Sequence, residues 1–263
     1  MLQENNQFEE VKISVGKYEI NYLKVGHGKL KVFCMPGALG SVWTDFKPQV
    51  EGFDRDKFTL IVWDAPGYGK SRPPEREFAS DYYAQDVDIA FEFMKALNIR
   101  KFSILGWCYG GVTAIIFAAK YPQVVHKLVV WGARTTIQEE ILNIYNLLKD
   151  MNLWSERNRA GKIEIYGEEG LIKLWSQVVD AMTAYYHTNN GIIISNDVLE
   201  KVTCPTFILH GEKDPLLHKA SALILHDKIQ GSRWHLYSEG KHNIHLRFAE
   251  DFNRRVQEFL LED

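Results

Sequence analysis

A nucleophile, an acid and a histidine follow one another along this chain, each just after a short apolar run. Gly106-Trp107-Cys108-Tyr109-Gly110-Gly111 has the G-x-S-x-G spacing with cysteine in the serine slot. An apolar run, Phe102 to Leu105, precedes it, and a small-residue helical stretch, Gly110 to Tyr121, follows. Such a strand-turn-helix leaves no room for side chains at the flanking glycines and exposes the middle residue at a helix N-terminus. The helix dipole there favours a thiolate. Asp214 comes directly after the run Thr206 to His210, and His242 follows the run Trp234 to Tyr237. In the order nucleophile, acid, histidine, these residues predict Cys108 as nucleophile, Asp214 as orienter and His242 as general base. Taken singly, each has a plainer explanation: a buried small hydrophobe, a turn residue before Pro215, a solvated loop histidine. The shared order and strand-end placement favour the triad.

An acyl-transfer site also needs two N–H donors for the oxyanion. The residue after the nucleophile supplies one, which predicts the Tyr109 N–H. The loop Met35-Pro36-Gly37-Ala38-Leu39-Gly40-Ser41 supplies the second, assigned to Ala38 ahead of Leu39. No metal is expected. His242 and His245 form an H-x-x-H pair, but neither an accompanying glutamate base nor a third ligand is evident, and a structural role is expected for His245. Gly69-Lys70-Ser71 ends like a phosphate-binding loop. Position 64 is Asp, where that motif needs glycine, and Pro66 removes a backbone donor.

These residues need a scaffold that brings strand ends together. Apolar runs at Tyr18 to Val25, Leu30 to Cys34, Phe58 to Trp63, Phe102 to Leu105, Lys127 to Trp131, Thr206 to His210 and Trp234 to Tyr237 read as strands. Helical stretches such as Asp81 to Leu97 fall between them. The alternation predicts an α/β protein with a mostly parallel sheet. From about Thr135 to Asn196 the pattern is helical without a convincing strand. That predicts a core of residues 1–134 and 197–263 and a helical cap over residues 135–196, placed above the strand ends where open α/β sheets bind ligands.

With 263 residues and a net charge of −3, the chain has no basic block to suggest nucleic acid or an anionic membrane. Cys34, Cys108 and Cys204 are too few and too scattered for a disulfide framework, which points to a reducing compartment. The polar opening Met1 to Gln7 resembles neither a secretory nor a transit signal. A cytoplasmic protein is expected, or a mitochondrial one if a leader has been removed. No cofactor is expected. The expected partner is a small-molecule ester or acyl substrate, met by a monomer or homodimer.

The segments P-G-A-L-G, W-D-A-P-G-Y-G-K-S-R-P-P, L-G-W-C-Y-G-G, H-G-E-K-D-P-L and E-G-K-H-N-I-H-L-R-F-A, with Trp131-Gly132-Ala133 and Trp154-Ser155-Glu156-Arg157, resemble the biphenyl hydrolase-like proteins, or valacyclovir hydrolases. The likeness spans nearly the whole chain. It implies an α/β-hydrolase fold with an eight-stranded sheet and an esterase of the serine-hydrolase type acting on α-amino acid esters. The family's triad falls on Cys108, Asp214 and His242. Two positions depart from it. Cysteine replaces the usual serine, and Tyr109 replaces an aspartate that binds the substrate's ammonium group. A phenol cannot supply that full negative charge. Tyr109, with Leu39, Trp154, Trp175 and Tyr185 as further substrate contacts, is therefore expected to favour a neutral, apolar or aromatic acyl group over an aminoacyl one.

A thiolate is a better nucleophile and a better leaving group than an alkoxide, which favours aryl or enol esters, lactones and thioesters and disfavours amides. A long-lived thioester could instead pass its acyl group to an amine or alcohol. The cysteine also fits a serine replacement that weakens turnover, or a site that binds without chemistry. Hydrolase, acyltransferase and small-molecule binder are thus three outcomes of one pocket.

Overall fold

Alternate side chains of a strand point to opposite faces, and most strands of this chain are apolar on both, so each face must be covered. The computed structural model describes residues 8–262; the opening Met1 to Gln7 lies outside them. The elements run β1 (Glu10–Val15), β2 (Tyr18–Val25), β3 (Leu30–Met35), α1 (Val42–Gly52), β4 (Phe58–Trp63), α2 (Tyr82–Ala96), β5 (Phe102–Trp107), α3 (Tyr109–Lys120) and β6 (Val125–Trp131). Then come α4 (Glu139–Leu147), α5 (Glu156–Tyr166), α6 (Glu168–Asn189) and α7 (Asn196–Leu199). The chain ends with β7 (Thr206–Gly211), α8 (Ala220–Lys228), β8 (Arg233–Tyr237), α9 (Ile244–Arg247) and α10 (Ala249–Leu261).

The strands form one eight-stranded sheet in the order β1-β2-β4-β3-β5-β6-β7-β8. β1 pairs antiparallel with β2 and β2 antiparallel with β4; all other neighbours are parallel. Two apolar layers flank it. Phe33, Ile61, Trp63, Ile104 and Val130 pack with α2 and α3 on one side. Val32, Cys34, Val62, Leu105 and Leu209 pack with α1 and α10 on the other. All six residues of β4 are buried. Burying a side chain as large as Phe33 or Ile61 contributes about 1.5–3 kcal/mol.

Two elements escape the apolar pattern. β1 is an edge strand with a mostly exposed face, and α1 carries Pro48 inside it. The helix forms nonetheless, because Ser41 and Thr44 make a reciprocal capping box and Asn253 Nδ2 donates to the Pro48 carbonyl at 2.9 Å. The stretch between β6 and β7 is helical, as the sequence predicts. Its two ends are stitched together: Ile193 N and Ile194 N donate to Thr135 O, and Ile137 N to Gly191 O. No helix among the described residues is long and apolar enough to cross a membrane.

Candidate active site

β5 ends at Trp107 and α3 starts at Tyr109, leaving Cys108 alone in the turn with φ 54° and ψ −116°. A positive φ is strained for a residue bearing a Cβ. Close approach on both sides holds the turn. A Cβ on Gly106 would stand 2.5 Å from Gly110 O, and one on Gly110 would stand 2.0 Å from Met35 O. Cys108 N donates to Trp131 O at 3.0 Å, tying the elbow to the end of β6.

The structure brings Cys108, Asp214 and His242 together from the ends of β5, β7 and β8. His242 Nδ1 and Asp214 Oδ2 lie 2.7 Å apart, with the Asp214 side chain 1% exposed. Asp214 Oδ1 accepts from Leu216 N at 2.9 Å and Leu217 N at 3.1 Å, so the carboxylate is fixed in orientation. The Trp107 indole donates to His242 O at 3.0 Å. His242 Nε2 is buried and has no hydrogen-bond partner among the described residues, and the ring stands close enough to Cys108 for each group to shift the other's titration.

Burial pulls the Cys108 thiol up. The His242 charge, then Arg134 and the Tyr109 N–H, outweigh burial and bring the thiol below its ordinary range. Burial likewise pushes the His242 imidazole down, but Cys108 and Asp214 hold it well above its usual value. Both shifts favour a thiolate–imidazolium pair, and a thiolate is the reactive form. Burial alone raises the Cys34 thiol, and burial raises Cys204 to about 11. Iodoacetamide is therefore expected to alkylate Cys108 well before Cys34 or Cys204. The reaction should persist at about pH 6–7, where an ordinary thiol loses about tenfold in rate per pH unit. Peptide mapping over time at several pH values measures this. Equal or slower labelling of Cys108 would show that it is not activated.

The loop after β3 is braced from below. Gly37 N donates to Asp45 Oδ2 at 2.9 Å and Gly40 N to Gly37 O at 3.0 Å. Neither Ala38 N nor Leu39 N has an acceptor among the described residues. Leu39 is itself left-handed, at φ 58°, and its carbonyl accepts from Tyr166 Oη at 3.2 Å. Asp64, which spoils the phosphate-loop pattern, accepts from Val42 N and Lys70 N at 2.8 and 2.7 Å, so it is a girder for two loops. His245 is also structural. Its Nδ1 accepts from the Trp131 indole at 2.8 Å, and burial pushes its pKa down to about 3. No group of three metal-ligating side chains occurs among the described residues.

Above Cys108 lies a cavity of about 300 Å³. Ala38, Leu39, Trp154 and Trp175 line it, and both indoles donate to one carbonyl, Leu148 O, at 2.8 and 2.9 Å. Tyr185 does not line it. On α6, Trp175, Val178 and Met182 reach the cavity. Tyr185 lies roughly 15 Å along the helix from Trp175. There it packs edge-on against Tyr82 and Tyr83, at 5.9 and 5.4 Å between centroids. Tyr109 presents its ring to the cavity and turns its hydroxyl away. That hydroxyl donates to Asp86 Oδ2 and accepts from Arg76 Nη2, both at 2.9 Å. The motifs also give no hint of Tyr83, Phe78 or Arg134 in the wall, which Tyr145 joins as one of the aromatics of the expected cap. Arg134 carries one legible signal, a cation three residues beyond β6, the strand paired with the elbow.

The architecture and the strand-end site are those of one large class of enzymes. The model describing the alpha/beta hydrolase fold matches residues 32–165, and the chain belongs to that family. Serine hydrolase BPHL of Homo sapiens is 43% identical over 249 residues, covering 95% of this chain and 85% of that protein. A 2-hydroxy-6-oxononadienedioate/2-hydroxy-6-oxononatrienedioate hydrolase of Paraburkholderia xenovorans (strain LB400) is 26% identical, covering 97% and 95%. Among solved structures, a meta-cleavage product hydrolase from Pseudomonas fluorescens IP01 superposes with a TM-score of 0.78 at 23% identity, covering 96% and 97%.

Proposed function

We propose that this chain hydrolyses small carboxylic esters, lactones or thioesters through a thioester on Cys108, with residues 1–134 and 197–263 as the core and 135–196 as a cap. The observation that carries this is the buried His242 ring. Its Nδ1 is tied to Asp214, its Nε2 is buried with no hydrogen-bond partner among the described residues, and the ring lies close enough to Cys108 for the two groups to shift each other's titration. The Cys108 thiolate adds to the substrate carbonyl. The N–H groups of Tyr109 and Ala38 receive the oxyanion. Collapse breaks the bond to the leaving group, which takes the proton from His242. Water then gives its proton to His242 and adds to the thioester carbonyl, releasing the acid and the thiolate. Asp214 keeps the ring in the productive tautomer. That relatives are named hydrolases, one of them a serine hydrolase, supports a hydrolytic outcome with cysteine in the serine's place.

The test is a panel of aryl esters followed by intact-mass spectrometry. The expected result is free acid and phenol with a transient adduct of one acyl mass, lost in Cys108→Ala. Accumulation of a new ester or amide with an added alcohol or amine would make the reaction acyl transfer. Neither adduct nor turnover, despite saturable binding, would make the site a binder.

A further inference from the structure

Two arginines are buried among the described residues, and their surroundings differ. Arg76, 5% exposed, is paired with Asp86 at 2.8 Å. Arg134, 6% exposed, has no carboxylate within ion-pair distance among the described residues. Its Nη2 donates to Tyr145 Oη and Leu216 O, both at 3.2 Å. Its Nη1 is buried and has no acceptor among the described residues. A guanidinium remains charged at any working pH, and an unpaired buried charge is costly. Arg134 lines the cavity together with Cys108, and it follows by three residues Trp131, the register partner of Trp107 on the elbow strand.

The cavity as a whole is cationic. Besides Arg134 and His242 it is lined by Lys162, and by neither aspartate nor glutamate. Of the groups whose charge acts on Arg134, Tyr145 and Tyr83 are neutral phenols at working pH, which leaves the Cys108 thiolate and Asp214. Acylation removes the first of these: once the sulfur carries an acyl group it is neutral, and Arg134 loses its nearest compensation. An anionic group on the substrate would restore it. We infer that Arg134 receives a carboxylate on the acyl part of the substrate, so the preferred substrates are monoesters of dicarboxylic acids. This goes beyond discrimination against ammonium groups. It rests on the hydrolase proposal only for placing that carboxylate in an acyl group. Arginine suits the role because it stays charged at any working pH, and with Nη2 held by Tyr145 and Leu216 the Nη1 hydrogens are left to donate.

The competing role for Arg134 is to hold the thiolate charge alone. Two matched pairs of reagents separate the roles. Iodoacetate and iodoacetamide alkylate Cys108 by the same displacement of iodide and differ in charge. Monoadipate and hexanoate 4-nitrophenyl esters have acyl chains of equal length and differ by the terminal carboxylate. Wild type is expected to favour the adipate monoester in kcat/KM, after subtraction of uncatalysed hydrolysis. In Arg134→Gln the adipate-to-hexanoate ratio and the iodoacetate-to-iodoacetamide ratio should both fall, the former by roughly 10- to 100-fold as a lost charge-assisted pair implies. Arg134→Lys should restore part of the alkylation ratio and less of the ester ratio. A residue serving only the thiolate would slow both members of each pair alike, and unchanged ratios would overturn the inference. Hydrolysis of both esters without preference would remove the anion site and leave the hydrolase standing. A charge-dependent alkylation ratio with no ester turnover would do the reverse. If Arg134→Gln does not fold, the wild-type ester ratio decides: preference for hexanoate defeats the assignment, and preference for the monoadipate supports it.

Discussion

His242→Ala is expected to slow acyl-enzyme formation on an aryl ester by about a thousandfold, within the range for loss of a general base. Two contributions disappear together. The leaving group loses its proton donor, and the Cys108 thiol loses the imidazolium that opposes the effect of burial. The sign of the pH dependence follows. In the parent, the thiol pKa is lowered, so thiolate is present below the ordinary thiol range. In the variant, burial is no longer opposed by that charge, and residual reactivity should climb with pH through and beyond about 8.5. Burst kinetics and the alkylation rate across pH, on protein with an unchanged circular dichroism spectrum, measure both. Unimpaired turnover in the variant would make the triad assignment wrong.

Gly110→Ala should be the most damaging single-methyl change at the nucleophile turn. Its Cβ would meet Met35 O at 2.0 Å and Pro36 O at 2.4 Å, both backbone atoms of a central strand and the loop that carries Ala38. Neither can move without opening the β3–β5 pairing. We expect a loss of about 3 kcal/mol, the upper range for overpacking, with misplacement of the elbow. Gly161→Ala is the matched control. It lies in α5, where a new Cβ would find only Thr44 Cγ2 at 3.9 Å, and helix propensity predicts a gain of about 0.5–1 kcal/mol. Urea midpoints of the two variants test this. A folded Gly110→Ala protein with the parent midpoint would mean that α3 does not press against β3 as described.

Much of this was legible in the sequence because local patterns carried it. Phe58 to Trp63 is six buried residues in a row, and Gly106 to Gly110 encodes its turn in five positions. The residues that escaped are those whose roles depend on distant partners. α1 is stabilised around Pro48 by Asn253, two hundred residues away. Tyr185 has the right helical phase to join Trp175 in the wall, yet it sits one turn beyond the cavity edge, and phase does not reveal where a cavity ends. Tyr109 reads as a bulky aromatic contact. Only the fold shows its hydroxyl held between Arg76 and Asp86. Arg134 belongs to no motif, and its unfilled Nη1 is visible only once Tyr145 and Leu216 are in place.

The left-handed backbone at Cys108 bears on whether the site is in use. Holding a residue with a Cβ in such a conformation costs on the order of 1–3 kcal/mol, a sizeable share of a domain's net stability. Glycine at 108 would relieve it, because glycine adopts positive φ freely. Proteins drift toward the margin of stability, so relief of that size is readily accepted wherever activity makes no demand. A chain that had abandoned chemistry and kept only its pocket would be under steady pressure to lose the side chain at this turn. This one retains a thiol there, with the histidine that charges it.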